Sequence, residues 1–285
     1  VVLTGEGADE VFGGYDLFKE AKIRRFMARV PDSKFRADIL GRLYPYLRNS
    51  PTSGRAFTQA FFSQGLDEVD APWFAHLPRM TTTSRIWQFF RPEIREGLSA
   101  WNSRDALRAV LPPDIDRWIP MGRDQYVEAH TLMSGYLLSS QGDRVAMANS
   151  IEGRFPFLDH RVIEFANRLP PTVKMKGLTE KYILKRAFAD ELPPSIRTRT
   201  KQPYRAPDSA SFFDQGTPVD FVEELLSPAR VEAAGLFDAA AVGKLFAKSR
   251  AGRTIGFGDN MAFVGILSTM LLHDRFVRPA TFTAP

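Results

Sequence analysis

The sequence contains no cysteine, which excludes disulfide bonds, thiolate metal sites and a cysteine nucleophile within its 285 residues. Its four histidines are scattered, and none has a partner at the spacing of a metal-ligand pair, so we expect no histidine-ligated zinc site. No apolar run reaches the roughly eighteen residues of a membrane span, and no signal peptide is recognisable.

The charge balance is moderately basic. Lysine and arginine number 38 against 33 acidic residues, which gives a formal net charge of +5. A basic surplus can favour anionic ligands or nucleic acid, but these charges are spread evenly, which favours an ordinary solvated surface. The hydrophobic fraction of 44% is typical of a globular protein, and the length suits one large domain or two modest ones.

The pattern of apolar residues predicts a mainly α-helical chain with one strand at its start. Residues 1–5, VVLTG, read as a strand buried on both faces. Because it is the one such strand that the sequence indicates, either its neighbours lie upstream or the segment is not a strand. Helical spacing continues from residue 8 to Pro31, and a long pattern near 123–151 predicts one helix to Leu138 and another from about Ser140. A helix start is predicted near Thr83.

A turn rich in glycine and carboxylates follows the predicted strand. Thr4-Gly5-Glu6-Gly7 leads into a predicted helix that contains Asp9. A strand that ends in Gly-x-Gly before a helix presents backbone N–H groups at a sheet edge, where α/β folds often bind phosphate. Glu6 and Asp9 are suited to proton transfer and to holding a magnesium ion. Acidic residues also belong in the first turn of a helix, and the motif alone leaves both interpretations open.

The stretch SIEGRFPFLDHRV predicts a packed turn that seats the following helix. Asp159 is the predicted N-cap of that helix. Glu152 and Arg154 are candidates to contact a ligand, although a structural ion pair is the favoured interpretation. A second helix with the same pattern is predicted to begin with Thr179 as its cap and to end at the Pro193–Pro194 pair.

A basic stretch, SIRTRTKQPYRAPDS, alternates cations with small polar residues. Alternation on a non-helical segment places several positive charges on one side, which suits a polyphosphate. These cations are Arg197, Arg199, Lys201 and Arg205. Taken alone, the stretch is more typical of a solvated basic loop. RNA binding is a further interpretation, because Tyr204 would stack a base beside the cations.

Together, three blocks resemble a known family. VVLTGEGADEVFGGY, DRVAMANSIEGRFPFLDHRVIEFANRLP and YILKRAFADELPPSIRTRTKQPYRAPDS are similar to the C-terminal synthetase half of the glutamine-dependent asparagine synthetases and their amidotransferase relatives. The blocks occur in the order of that family and span the chain from residue 1 to about 210. The resemblance implies an enzyme that adenylates a carboxylate with ATP, releases pyrophosphate and forms an amide with ammonia.

The resemblance also implies roles for individual residues. Glu6 matches a catalytic glutamate that assists adenylate formation and takes the ammonia proton, and Lys201 matches a catalytic lysine that neutralises pyrophosphate. Asp9 matches a ligand of Mg²⁺. The implied ATP- and pyrophosphate-binding residues are Thr4, Gly5, Gly7, Arg199 and Lys201. Lactam-forming relatives carry tyrosine where this chain has Glu6, so glutamate here favours amide formation.

The resemblance implies that the chain is the helical C-terminal part of an α/β adenine-nucleotide-hydrolase-like (PP-loop) synthetase domain. Residues 1–5 would be the last strand of a truncated sheet, 6–278 the helical part and 279–285 a tail. The glutaminase domain and the Ser-Gly-Gly-x-Asp-Ser loop of the family are not in these residues. We therefore expect the chain alone to be inactive, and a glutaminase domain of the same polypeptide to be its partner.

The acceptor is the least defined part of the expected activity. Aspartate, with glutamine as the source of ammonia, is the expectation for a cytoplasmic enzyme of asparagine biosynthesis, with a homodimer as a candidate assembly. However, residues 138–142, LSSQG, carry no charge that would bind aspartate. An amidotransferase of a biosynthetic cluster acting on another carboxylate, and a basic helical RNA-binding module, are the alternatives.

Overall fold

The computed structural model describes residues 1–33, 35–44, 55–199, 201, 208–252 and 256–277, with only the backbone of residues 55 and 57. The described chain is mainly helical, as predicted, whereas the α/β PP-loop fold stays a prediction. The helices are α1 Ala8–Phe12, α2 Asp16–Ala28, α3 Arg55–Phe62, α4 Leu77–Thr83, α5 Pro92–Gly97, α6 Ser103–Val110, α7 Pro120–Glu128, α8 Arg144–Ala148, α9 His160–Asn167, α10 Pro171–Lys174, α11 Tyr182–Ala187, α12 Pro194–Arg197, α13 Asp220–Leu225, α14 Pro228–Ala234, α15 Ala239–Arg250 and α16 Phe257–Leu272. The strands are β1 Val2–Leu3, β2 Gly153–Arg154, β3 Phe213–Asp214 and β4 Thr217–Pro218.

The first strand has a partner within this chain, so the expectation of a strand without one was wrong. β1 pairs in parallel with β2, with Val2 opposite Gly153. The amide of Val2 donates to the carbonyl of Glu152 at 2.8 Å, and the amide of Thr4 donates to Arg154 at 3.0 Å. Because β1 belongs to the first sequence block and β2 to the second, this pairing places the two blocks side by side. The side chains of β1 are exposed rather than buried on both faces, because the only described strand beside it is two residues long.

The chain divides into two compact units. The first comprises Val1–Pro78 and Leu107–Pro203, and the second comprises Arg79–Ala106 and Tyr204–Pro285. The second unit has its own apolar core, in which α13, α14, α15 and α16 contribute Val222, Val231, Val242 and Phe263. A short antiparallel hairpin, β3–β4, also lies in it, so the predicted helical part after residue 6 contains strands.

The first unit positions the glycine–carboxylate turn. Val11 and Phe12 of α1 pack against α9, where Ala166 is fully buried, and against Ile183 of α11. The predicted continuous helix from residue 8 is in fact two helices, because Gly13 adopts a left-handed conformation (φ 69°) at the end of α1. Because of this break, α1 ends at Phe12 and α2 begins as a separate helix after Tyr15.

Two predicted helix boundaries differ from the structure, and two others are confirmed. Thr179 does not cap a helix, because it exchanges two backbone hydrogen bonds with Lys176 in a tight turn. Thr83 ends α4 and is also the N-cap residue of a 3-10 helix, Ser84–Phe89, so the predicted helix start near Thr83 is confirmed. The backbone does not break near Ser140, since a π-helical segment, Ala129–Asp143, joins α7 to α8. The N-cap prediction for Asp159 is confirmed, because its carboxylate accepts from the amide of Arg161.

None of the described helices combines the length and the apolar character that crossing a membrane requires.

Candidate functional site

The turn between β1 and α1 is shaped by its two glycines in different ways. Gly7 is the N-cap residue of α1 and is left-handed, with φ 86°. A Cβ on Gly7 would lie 2.2 Å from Cδ2 of Leu158, so the FPFL segment packs against the turn at this glycine. A Cβ on Gly5 would meet no described atom within 4 Å. The Gly5 side of the turn is therefore open to a ligand, whereas the Gly7 side is closed by packing.

The Asp9 carboxylate on α1 binds two lysines at once. Lys201 Nζ is 2.9 Å from Oδ2, and Lys181 Nζ is 2.9 Å from Oδ1. The three side chains are between 18% and 25% exposed, so the cluster is partly buried and still reaches solvent. We call Asp9, Lys181 and Lys201 the lysine–aspartate cluster. It carries one negative and two positive charges, which leaves a net positive charge beside the open turn.

The electrostatics of the cluster follow from its geometry. Burial raises the pKa of the Asp9 carboxyl, but the adjacent ammonium groups of Lys181 and Lys201 outweigh burial and hold its pKa below the usual value of 3.8. Asp9 is therefore ionised at neutral pH and can hold both ammonium groups. Lys181 adopts a left-handed backbone (φ 46°, ψ 38°), which is uncommon for a residue with a long side chain. Such a conformation at a helix N-cap points to a functional position.

A buried layer supports the cluster from behind. Glu10 is 3% exposed, and its carboxylate accepts a hydrogen bond from the Tyr15 hydroxyl at 2.8 Å. Burial raises the pKa of Glu10, partly offset by this hydrogen bond. The ammonium group of Lys201 lies 5.5 Å from the centre of the Tyr15 ring. The side-chain amide of Gln125 donates to the backbone carbonyls of Glu10 and Val11, which fixes the end of α1.

The other predicted site residues take different positions. The amide of Glu6 donates to Oγ1 of Thr4 at 3.2 Å, which bends the turn. The Glu6 side chain is half-buried, and it forms no ion pair with Lys201 among the described residues. Arg199 is exposed. The structure thus brings Asp9 and Lys201 together, and Glu6 precedes Asp9 by three residues in the sequence. The catalytic roles of these residues stay predictions.

The remaining candidates from the sequence have structural contacts or lie elsewhere. The Arg197 guanidinium donates to the carbonyl of Ala189 at 3.1 Å, which fastens α12. Arg154 forms an ion pair with Glu152 at the exposed end of β2, in line with the structural interpretation. Tyr204 and Arg205 lie outside the described residues. The sequence did not indicate Lys181 as a site residue, because Lys181 was expected inside a helix that begins at Thr179.

A magnesium ion does not fit the lysine–aspartate cluster as it stands. Both oxygens of Asp9 accept from ammonium groups, and a divalent cation there would face two positive charges. Over the residues that the structure describes, no three histidine, aspartate or glutamate side chains are grouped to hold a metal. The cluster is suited instead to an anion, since two ammonium groups beside an open glycine turn can bind phosphate oxygens.

Comparison with known proteins gives the family. The asparagine synthase family model matches residues 1–273. This chain belongs to the asparagine synthase family. The match confirms the resemblance of the three sequence blocks and extends to residue 273, within the second unit. No solved structure matches the chain.

The relatives are longer than this chain and differ in name. Amidase chry2 of Gibberella zeae is 26% identical over 83% of the chain and 36% of its own length. The putative glutamine-hydrolysing asparagine synthetase of Mycobacterium bovis is 29% identical over 73% of the chain and 30% of its own length. Asparagine synthetase 1 of Bacillus subtilis is 27% identical over the same shares. The chain therefore spans about a third of the length of these members of the asparagine synthase family.

Proposed function

We propose that the complete protein containing this chain is an ATP-dependent amidotransferase that forms C–N bonds. It would adenylate a substrate carboxylate, release pyrophosphate, and form an amide from ammonia with release of AMP. The observation that carries this proposal is the lysine–aspartate cluster that follows the open Gly5 turn, in a chain of the asparagine synthase family. The Thr4–Gly7 turn would contact ATP, and the cluster would face its β- and γ-phosphates.

The charge of the cluster suits pyrophosphate as a leaving group. Pyrophosphate departs with several negative charges, so catalysis requires fixed cations aimed at the phosphate oxygens in the transition state. Lys181 and Lys201 supply two such cations, and Asp9 holds both in place before the substrate arrives. Arg199, two residues before Lys201 in the sequence, is exposed and would add positive charge. No step of this proposal passes through a metal ion, because both oxygens of Asp9 already accept from ammonium groups.

Glu6 would act in the second half of the reaction. Attack of ammonia on the acyl-adenylate produces a tetrahedral centre with a positively charged nitrogen, and a carboxylate within reach can take its proton. Glu6 lies in the turn that leads to Asp9, and the hydrogen bond from its amide to Thr4 fixes its backbone. The open space beside the neighbouring Gly5 supports a general base at residue 6.

The acceptor carboxylate has two candidates. Aspartate, with ammonia from glutamine supplied by a glutaminase domain, would make the complete protein an asparagine synthetase of asparagine biosynthesis. Several relatives carry that name. A different carboxylate is favoured by the names of two others, amidases chry2 and chyE. The uncharged segment 138–142 supports this second candidate, since it offers no charged group to an amino acid. In either case we expect the 285-residue chain alone to be inactive.

The test is carboxylate-dependent exchange of labelled pyrophosphate into ATP by the complete protein. A panel of aspartate, glutamate and carboxylic acids without an amino group separates the two acceptor candidates. Exchange that requires one of these acids, followed by amide formation with ammonia or glutamine, would support the proposal. Absence of exchange with every acid, combined with RNA binding that falls steeply with salt and ignores ATP, would favour the RNA-binding alternative.

A further inference from the structure

Tyr15 lies between a buried carboxylate and the Lys201 ammonium group. Its hydroxyl donates to Oε1 of Glu10 at 2.8 Å, and Lys201 Nζ lies 5.5 Å from the centre of its ring. The ring and the Asp9 carboxylate thus contact the same ammonium group from two directions. Nothing in the three sequence blocks assigns a role to this tyrosine.

The position of the Tyr15 ring is fixed at both ends. Its backbone is extended (φ −71°, ψ 144°) as the N-cap residue of α2, directly after the Gly13–Gly14 turn. Its ring packs beside Phe18 with centroids 6.3 Å apart, and it borders the core of Leu17 and Ala21. The hydroxyl cannot swing away without leaving the Glu10 carboxylate, which is 3% exposed, short of a hydrogen bond.

An aromatic ring attracts a cation without neutralising its charge, whereas a carboxylate adds a negative charge. The face of an aromatic ring attracts an ammonium group through its quadrupole and leaves the full positive charge available to an anion. Asp9 already shares one negative charge between two lysines. A second carboxylate in place of Tyr15 would make the cluster neutral and remove its attraction for phosphate, whereas a neutral ring does not.

We propose that Tyr15 is a positioning residue that holds the Lys201 ammonium group, through its ring, in the orientation that meets the departing pyrophosphate. The hydrogen bond from its hydroxyl to Glu10 fixes the ring. This inference rests on the proposed function, in which Lys201 faces pyrophosphate. It assigns Tyr15 no contact with the reacting atoms.

The first measurement is the acetylation rate of Lys201 by limiting acetic anhydride, read by mass spectrometry in the complete protein. Tyr15→Leu removes the ring, so Lys201 should react about fivefold faster. Tyr15→Phe keeps the ring but loses the hydrogen bond from the hydroxyl to Glu10, so the acetylation rate should rise about twofold. Tyr136→Leu is the control, because Tyr136 is exposed on the π-helical segment of the same unit. It should leave the rate of Lys201 unchanged.

The second measurement is the dissociation constant of pyrophosphate for the same variants. It should rise about fivefold in Tyr15→Leu, about twofold in Tyr15→Phe, and not at all in Tyr136→Leu. If Tyr15 only fills space, its variants lower thermal stability while the labelling of Lys201 and the affinity for pyrophosphate stay as in the wild type. That result overturns the inference, and a folded Tyr15→Phe suffices to obtain it if Tyr15→Leu does not fold.

The two proposals fail in distinguishable ways. Absence of carboxylate-dependent exchange in the wild-type protein would contradict the proposed function. The acetylation rates would still show whether the Tyr15 ring protects the Lys201 amine. Wild-type exchange together with unchanged labelling in both Tyr15 variants contradicts the inference alone.

Discussion

Lys201 donates a hydrogen bond to a carboxylate that precedes it by 192 positions in the sequence, with its Nζ 2.9 Å from Oδ2 of Asp9. Lys181 binds the other oxygen of the same carboxylate. One acidic residue on a five-residue helix therefore gathers two cations from distant segments. This arrangement links the first and third sequence blocks, and the proposed function depends on it.

Replacing Asp9 should release both lysines. In Asp9→Asn the two ammonium groups lose their shared counter-charge and repel each other, so we expect α1 to lose about 1–2 kcal/mol of local stability. Hydrogen exchange over residues 8–12 of the complete protein should accelerate about 5- to 30-fold. Asp190→Asn, an exposed site in the same unit, is the control and should leave this exchange unchanged.

The same variant has a predicted pH dependence. The Asp9 carboxyl has a lowered pKa in the folded chain, so its stabilising contribution is complete above the usual pKa of 3.8 and is lost as the pH falls through the folded value. The stability difference between wild type and Asp9→Asn should therefore be constant above about pH 5 and shrink below pH 3.8. A difference that grows on acidification would contradict the ion-pair geometry.

The two glycines that flank Glu6 should respond differently to alanine. Gly7→Ala places a Cβ 2.2 Å from Leu158 in a left-handed backbone, so it should destabilise the turn by about 2 kcal/mol or more. Gly5→Ala meets open space and should leave stability within about 0.5 kcal/mol. If ATP approaches the turn at Gly5, that variant should still raise the KM for ATP. Hydrogen exchange at Val11, whose amide bonds to Gly7, reports the first effect.

Glu6→Gln separates the two halves of the reaction. Loss of the proposed base should slow amide formation by about a hundredfold or more. Exchange of pyrophosphate into ATP should fall less than tenfold, because the lysine–aspartate cluster is intact. Glu164→Gln, an exposed change on α9, serves as the matched control. Equal losses in both assays would assign Glu6 to binding or to adenylate formation instead.

Lys174 should make the stability of the chain depend on alkaline pH. It is 4% exposed, its ammonium group donates to Gln125, and burial lowers its pKa to about 8. Between pH 8 and the ordinary value of 10.5 the unfolded chain binds the proton that the folded chain does not, so stability rises with pH by up to about 1.4 kcal/mol per unit. In Lys174→Met this rise should disappear, whereas Lys244→Met, at an exposed site, should keep it. Hydrogen exchange over residues 171–175 at several pH values measures it.

The sequence predicted the helical class from short apolar patterns, and the family resemblance named Asp9 and Lys201 as site residues, but it did not predict that the two form an ion pair. It did not predict the partner of β1, since a two-residue strand around Gly153 has no apolar periodicity. It missed Lys181, whose place follows from the tight turn that Lys176 and Thr179 form. It also missed Tyr15, because the break at Gly13 rather than any feature of the tyrosine turns the ring toward Lys201.

The role of Lys201 toward pyrophosphate is tested most directly by carboxylate-dependent pyrophosphate exchange in the complete protein with alanine or arginine at residue 201. We predict that Lys201→Ala lowers the exchange rate at least a hundredfold and that Lys201→Arg, whose planar fork cannot replace a compact ammonium group, lowers it about tenfold. Lys244→Ala, at an exposed site in the second unit, should stay within about twofold of wild type. Exchange by Lys201→Ala within about twofold of wild type would contradict the assignment of the lysine–aspartate cluster to pyrophosphate.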